Sequence, residues 1–191
     1  MRTILASASP RRVELLRQFG FEFTAIPSDI PENQRSSETP IQIVMGLALE
    51  KALSIAEKHP DDLIIASDTI VFQETVLGKP IHREDAKRML MALSGKRHDV
   101  YTGLALVRAS QQKRYIDYEK TTVVFNSLTE KEIDAYLDTG EAFDKAGAYG
   151  IQGFGALLVK RIEGDFYNVM GLPLSKLNAM LKLYFDMDLL F

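Results

Sequence analysis

Leu63-Ile64-Ile65-Ala66-Ser67-Asp68-Thr69-Ile70-Val71-Phe72 is a nearly continuous apolar run interrupted by one carboxylate. Such a run without polar alternation reads as a buried central strand, which needs cover from helices. The rest of the chain supplies it. Upstream, Ile4-Leu5-Ala6 reads as a first strand. Ser9 has the character of an N-cap and Pro10 of a first helical residue, with Val13, Leu15, Leu16 and Phe19 as the apolar face and Gly20 as the stop. Phe21 to Ile26 alternates as a second strand. Residues 27–40 are polar, hold three prolines and read as a long loop, a length often reserved for function. Thr39-Pro40 opens a second helix, with Ile41, Val44, Ala48, Ala52 and Ile55 at helical spacing.

Downstream of the central strand, Glu84 to Leu93 is amphipathic. Val100 to Val107 and Tyr115 to Phe125 resemble a strand pair joined by Ser110-Gln111-Gln112-Lys113. Thr129-Glu130-Lys131-Glu132 is a capping box. Residues 140–155 hold five glycines and form a second candidate functional loop. Ala156 to Ile162 reads as a strand, and Pro173 begins a last helix through Leu174, Leu177, Met180 and Leu181. Strands and helices mix without strict alternation. The expected fold is α/β, a mixed central sheet flanked by helices, in a single domain over residues 1–191.

Composition narrows the function. Hydrophobic residues make up 46 % and charged residues 26 %, as in an ordinary globular protein. The absence of cysteine excludes a disulfide framework and a thiolate metal site. A polynucleotide binder normally carries a basic excess, so a net charge of -3 points away from that partner. Met1 to Ala6 is too short an apolar stretch for a signal peptide, and no run approaches the ~18 apolar residues of a membrane span. A cytoplasmic protein without a membrane partner is expected.

Five places are candidates for chemistry. Arg11 and Arg12 fall in the first turn of a helix, where the macrodipole disfavours a cation by roughly 0.3–1 kcal/mol. An anion at that end resolves the conflict, because helix-start amides and guanidinium groups both bind phosphate; arginines turned to solvent are the bland alternative. Asp68 sits inside the buried run and needs a cation, a metal or a shifted pKa. Lys51 falls at the edge of the second helix's apolar face, which suits a ligand role and a snorkelling lysine equally. Lys79, in Leu77-Gly78-Lys79-Pro80, reads as a plain turn lysine after the central strand. The glycine-rich stretch from Asp144 to Gly153 adds a charged pair, a tyrosine and Gln152, a set suited to nucleotide recognition. No Walker pattern is present. His59, His82 and His98 lack ligand spacing and read as ordinary surface or loop residues.

Taken in order, several of these stretches resemble the Maf family of nucleoside triphosphate pyrophosphatases. The matching pieces are Leu5 through Arg12, Glu50-Lys51-Ala52, Ser67 through Val71, Gly78-Lys79-Pro80, Tyr101-Thr102-Gly103, Asp144 through Gly153 and Gly171-Leu172-Pro173. The resemblance implies hydrolysis of a nucleoside triphosphate to monophosphate and pyrophosphate with a divalent cation, Mg²⁺ or Mn²⁺. It also implies an inosine-triphosphatase-like curved sheet, two lobes with a cleft, and a homodimer. Asp68 matches the proposed proton acceptor. Ser9, Arg11, Arg12, Lys51 and Lys79 match the phosphate-binding positions. Glu32 matches an acidic residue tied to metal or catalysis, so Asp68 and Glu32 are the implied metal ligands. Arg11, Thr69 and Gln152 agree with the branch that prefers dTTP and UTP. Ala142, and Ala66-Ser67 before Asp68, depart from the usual Pro and Gly-Ala. Two rivals share the phosphate grip. One is a pyrophosphatase of methylated or inosine-like purine triphosphates. The other is a nucleotide-binding regulator of septum formation that needs no turnover.

Overall fold

The computed structural model describes residues 2–30 and 37–190. Its elements are, in order, β1 (Thr3–Leu5), α1 (Pro10–Arg17), β2 (Thr24–Ala25), α2 (Pro40–Ala56), β3 (Leu63–Gln73), β4 (Thr75–Leu77), α3 (Arg83–Leu93), β5 (Arg97–Arg108), β6 (Lys113–Phe125), α4 (Glu130–Asp138), β7 (Val159–Glu163), α5 (Phe166–Val169) and α6 (Leu174–Phe185). The strands form one sheet in the order β2-β1-β3-β5-β6-β7, with β4 paired to β3. β1 is parallel to β2 and β3, whereas β4 and β7 are antiparallel to β3 and β6. This is the mixed α/β fold the sequence leads one to expect.

The chain folds into two compact units. One comprises Met1–Asp68, Thr102–Glu119 and Gly171–Phe191; the other comprises Thr69–Tyr101 and Lys120–Met170. β3, β5 and β6 contribute residues to both.

In the first unit, β3 pairs with β1 through Thr3↔Leu63 and Leu5↔Ile65. Ile64 and Ala66 pack with Ala48, Ala52 and Ile55 of α2. A fully buried isoleucine such as Ile64 contributes about 1.5–3 kcal/mol. α2 starts where Thr39 and Gln42 close a reciprocal capping box. Its backbone approaches β5 closely at Gly103, where a Cβ would collide with the Val44 carbonyl. That contact gives the Tyr101-Thr102-Gly103 motif a packing reason.

In the second unit, Leu90 and Leu93 of α3, Ile133 and Leu137 of α4, and Val100, Val123 and Phe125 of the sheet form one core. α4 opens with the expected box between Thr129 and Glu132. His82 caps α3, its Nδ1 accepting from the Asp85 amide at 3.2 Å.

Several boundaries differ from the sequence reading. The expected strand over residues 21–26 shrinks to Thr24–Ala25, because its partner β1 is three residues long and ends at Leu5. β3 turns straight into β4 through Glu74, a non-glycine residue at φ 59° that sends no turn signal. Lys79 therefore follows a hairpin, not the central strand itself. Ala156 and Leu157 belong to a 3-10 turn, since the Glu141 carboxylate accepts from the Phe154 and Gly155 amides and draws that segment out of the sheet. Among the described residues no helix is long and apolar enough to cross a membrane.

Candidate active site

α1 begins as its sequence dictates. Ser9 is extended at φ -73°, ψ 116°, Pro10 takes the first helical position, and the first turn holds no acidic residue. The Ser9 hydroxyl makes no capping bond; instead the Ser9 amide donates to Ser7 Oγ at 3.1 Å. Arg11 and Arg12 are both half-buried.

Arg12 reaches the central strand. Its Nη1 donates to the Ser67 carbonyl at 2.8 Å, and its Nε donates to the Gly171 carbonyl at 2.7 Å. The Ser67 hydroxyl donates to the same Gly171 carbonyl at 3.1 Å. Gly171 holds φ 99°, and its carbonyl ties the last matching motif, Gly171-Leu172-Pro173, to the first and to β3.

Asp68 lies within β3, which continues to Gln73, and it is 5 % exposed. Its partner is Lys51 of α2, whose Nζ is 2.5 Å from Asp68 Oδ1. The buried carboxylate thus has a cation as a partner. The first unit thus gathers Ser9, Arg11, Arg12, Lys51 and Asp68. Glu32 lies outside the described residues.

The second unit carries Thr69, Lys79 and Gln152. Thr69 follows Asp68 in β3 and is half-buried, whereas Lys79 and Gln152 are exposed. The Gly147 amide donates to the Gly78 carbonyl at 3.0 Å, so the Lys79 turn and the glycine-rich loop are bonded to each other. Gly147 sits over Val71 at φ 67°, where a Cβ would lie 3.0 Å from Val71 Cγ2. The Gly150 amide donates to the Tyr136 hydroxyl at 3.2 Å, and Glu141 holds the chain just past Gln152. Lys145 Nζ donates to the Glu141 carbonyl and, at 2.7 Å, to Asp144 Oδ1.

Sequence reading missed His98. It is 3 % exposed, not a surface residue, with its Nε2 2.7 Å from the Tyr149 hydroxyl and its ring edge-on to Phe125 and Tyr149. Burial pushes its pKa down to about 4, against a weaker upward pull from Asp99. Burial also pushes the Tyr149 phenol well above its usual range. The signal was available: His98 lies two residues before buried Val100 on the same strand face. Glu141 gave no such signal.

The family model of Maf-like proteins matches residues 2–184. The chain belongs to the Maf family. A protein of Clostridioides difficile (strain 630) called dTTP/UTP pyrophosphatase is 47 % identical, covering 100 % of this chain and 99 % of its own. A Caldicellulosiruptor bescii protein of the same description is 49 % identical, covering 97 % of this chain and 96 % of its own. Among solved structures, a HAM1 protein from Coxiella burnetii aligns at TM-score 0.50 with 16 % identity, over 81 % of this chain and 78 % of that one, a likeness of fold. In this Maf chain, Arg12, Ser67 and Gly171, each from a different matching motif, are thus bonded to one another within the first unit.

Proposed function

We propose that this Maf protein hydrolyses dTTP and UTP to the monophosphate and pyrophosphate. The observation that carries the reading is the buried Lys51–Asp68 pair beside a helix that opens with two arginines. Two relatives that match over nearly their whole length bear the dTTP/UTP pyrophosphatase description. Arg11, Thr69 and Gln152 also agree with the dTTP/UTP branch of the family.

The proposed chemistry follows from the groups present. Arg11, Lys51 and the amides of the α1 start bind triphosphate oxygens, with Lys79 as a further phosphate contact. Asp68 orients a water and accepts its proton as the oxygen attacks the α-phosphorus. The bond from that phosphorus to the α,β-bridging oxygen breaks, and pyrophosphate leaves. General-base help of this kind is worth about 10²–10⁴-fold. Gln152 reads the pyrimidine edge, since a side-chain amide both donates and accepts.

A divalent ion, Mg²⁺ or Mn²⁺, belongs to this reading. Among the described residues no three His, Asp or Glu side chains converge as a protein cage. Mg²⁺ held mainly by substrate phosphates needs only one or two protein carboxylates. Asp68 fits that requirement, with Glu32 as the second candidate. Bound there, the ion would neutralise charge on the phosphates and on the leaving pyrophosphate. A cytoplasmic location and a homodimer complete the proposal, both on the family pattern.

The reading is tested by incubating the protein with a panel of canonical and modified triphosphates and Mg²⁺. Pyrophosphate release greatest with dTTP and UTP supports it. Release confined to purine substrates, or nucleotide binding without turnover, sinks it.

A further inference from the structure

We infer that Arg12 is a positioning residue for Asp68, acting through the backbone of β3. The inference rests on the proposed role of Asp68. Arg12 directs Nη1 to the Ser67 carbonyl and Nε to the Gly171 carbonyl, and Ser67 Oγ closes the third side on Gly171. The Ser67 carbonyl belongs to the peptide group that joins Ser67 to Asp68. That group is planar, so holding its oxygen also holds the Asp68 nitrogen and Cα. Lys51 holds the far end of the same residue at Oδ1. Asp68 is thus fixed at its backbone by one cation and at its carboxylate by another. Ser67 is fully buried, so its hydroxyl bond does not compete with water.

The geometry needs arginine. A guanidinium presents donors in a rigid plane and bridges two carbonyls, whereas an ammonium is a point charge on a flexible stem. A general base must stay within about 0.5 Å of its productive place to work. Arg12→Lys therefore keeps the charge and loses the bridge. A residue that only binds phosphate behaves differently, because its replacement weakens substrate binding and leaves the backbone of the substrate-free protein unchanged.

The test compares wild type, Arg12→Lys and Ser67→Ala in the full chain. Steady-state hydrolysis of dTTP with Mg²⁺ gives kcat and KM, and amide hydrogen exchange of the free protein reports on residues 67–69. For Arg12→Lys the expected result is a kcat at least tenfold lower, a KM within threefold of wild type, and exchange at residues 67–69 at least fivefold faster. Ser67→Ala, which leaves the guanidinium in place, should move both readouts the same way by a smaller factor. A loss in KM alone, or unchanged exchange in both variants, overturns the inference. If wild type does not hydrolyse dTTP, the proposed function fails, and the exchange rates still decide whether Arg12 holds the strand.

Discussion

Lys51 Nζ stands 2.5 Å from Asp68 Oδ1, and only 12 % and 7 % of the two side chains are exposed. The pair joins α2 to β3 inside the first unit. Two opposite charges so far from solvent cost desolvation energy, and their attraction offsets it only while both are present.

Removing one partner should therefore be worse than removing both charges. Lys51→Met is expected to destabilise the protein by about 3 kcal/mol, since it strands a buried carboxylate. Adding Asp68→Asn should recover at least about 1 kcal/mol of that loss. Urea unfolding of the two single variants and the double variant checks this; simple additivity would mean the pair is not coupled.

Gly103 should tolerate no side chain. A Cβ there would overlap the Val44 carbonyl and carbonyl carbon of α2, which are backbone atoms and cannot swing aside. Gly103→Ala is expected to cost about 3 kcal/mol or more through overpacking. Thermal unfolding reads the loss directly. A melting temperature within a degree or two of wild type would show that α2 shifts freely.

His98 makes stability depend on pH. Its folded pKa is lowered to about 4, below the ordinary 6.5, so between those values the unfolded chain binds more protons. Stability is full above about pH 6.5 and is lost as pH falls toward 4, by about 3 kcal/mol from this group. Carboxylates held by arginines, such as Asp62 and Glu163, lose their stabilisation in the same direction at lower pH. His98→Gln isolates the histidine: its unfolding free energy should fall less steeply from pH 7 to 4.5. Parallel curves would contradict the burial argument.

Much of this was legible in the residues. The run from Leu63 to Phe72 announced a strand covered on both faces, and its one carboxylate announced a partner. Thr39-Pro40 announced one helix start and the Thr129 capping box another, and both helices form here. What escaped was set by contacts distant in sequence. The bonds from Arg12 to two backbone carbonyls gave no signal because those acceptors lie 55 and 159 residues away. Lys51 was ambiguous for the same reason, since helical spacing places it on an edge without naming what faces it. The β3–β4 hairpin turns at a glutamate, which local propensity does not mark. The segment after Gln152 leaves the sheet because Glu141, more than ten residues earlier, captures its amides.

Gln152 should set base preference more than rate. It is exposed on a loop whose backbone is held at Gly150 by Tyr136 and at Phe154 and Gly155 by Glu141. Gln152→Glu removes a donor and adds an acceptor, which should cut kcat/KM for dTTP and UTP about tenfold or more relative to other triphosphates. Relative rates across a nucleotide panel provide the check, and an unchanged order would remove Gln152 from base reading.

Asp68, held by Lys51, is proposed to accept a proton during attack on a pyrimidine nucleoside triphosphate. The direct measurement is pyrophosphate release from dTTP with Mg²⁺ by wild type and Asp68→Asn, alongside binding of a non-hydrolysable dTTP analogue. Wild type is expected to release pyrophosphate, and the variant to show a kcat lowered about 10²-fold or more with analogue affinity within a few-fold. Near-normal turnover by Asp68→Asn, or release of orthophosphate in place of pyrophosphate by wild type, would contradict it.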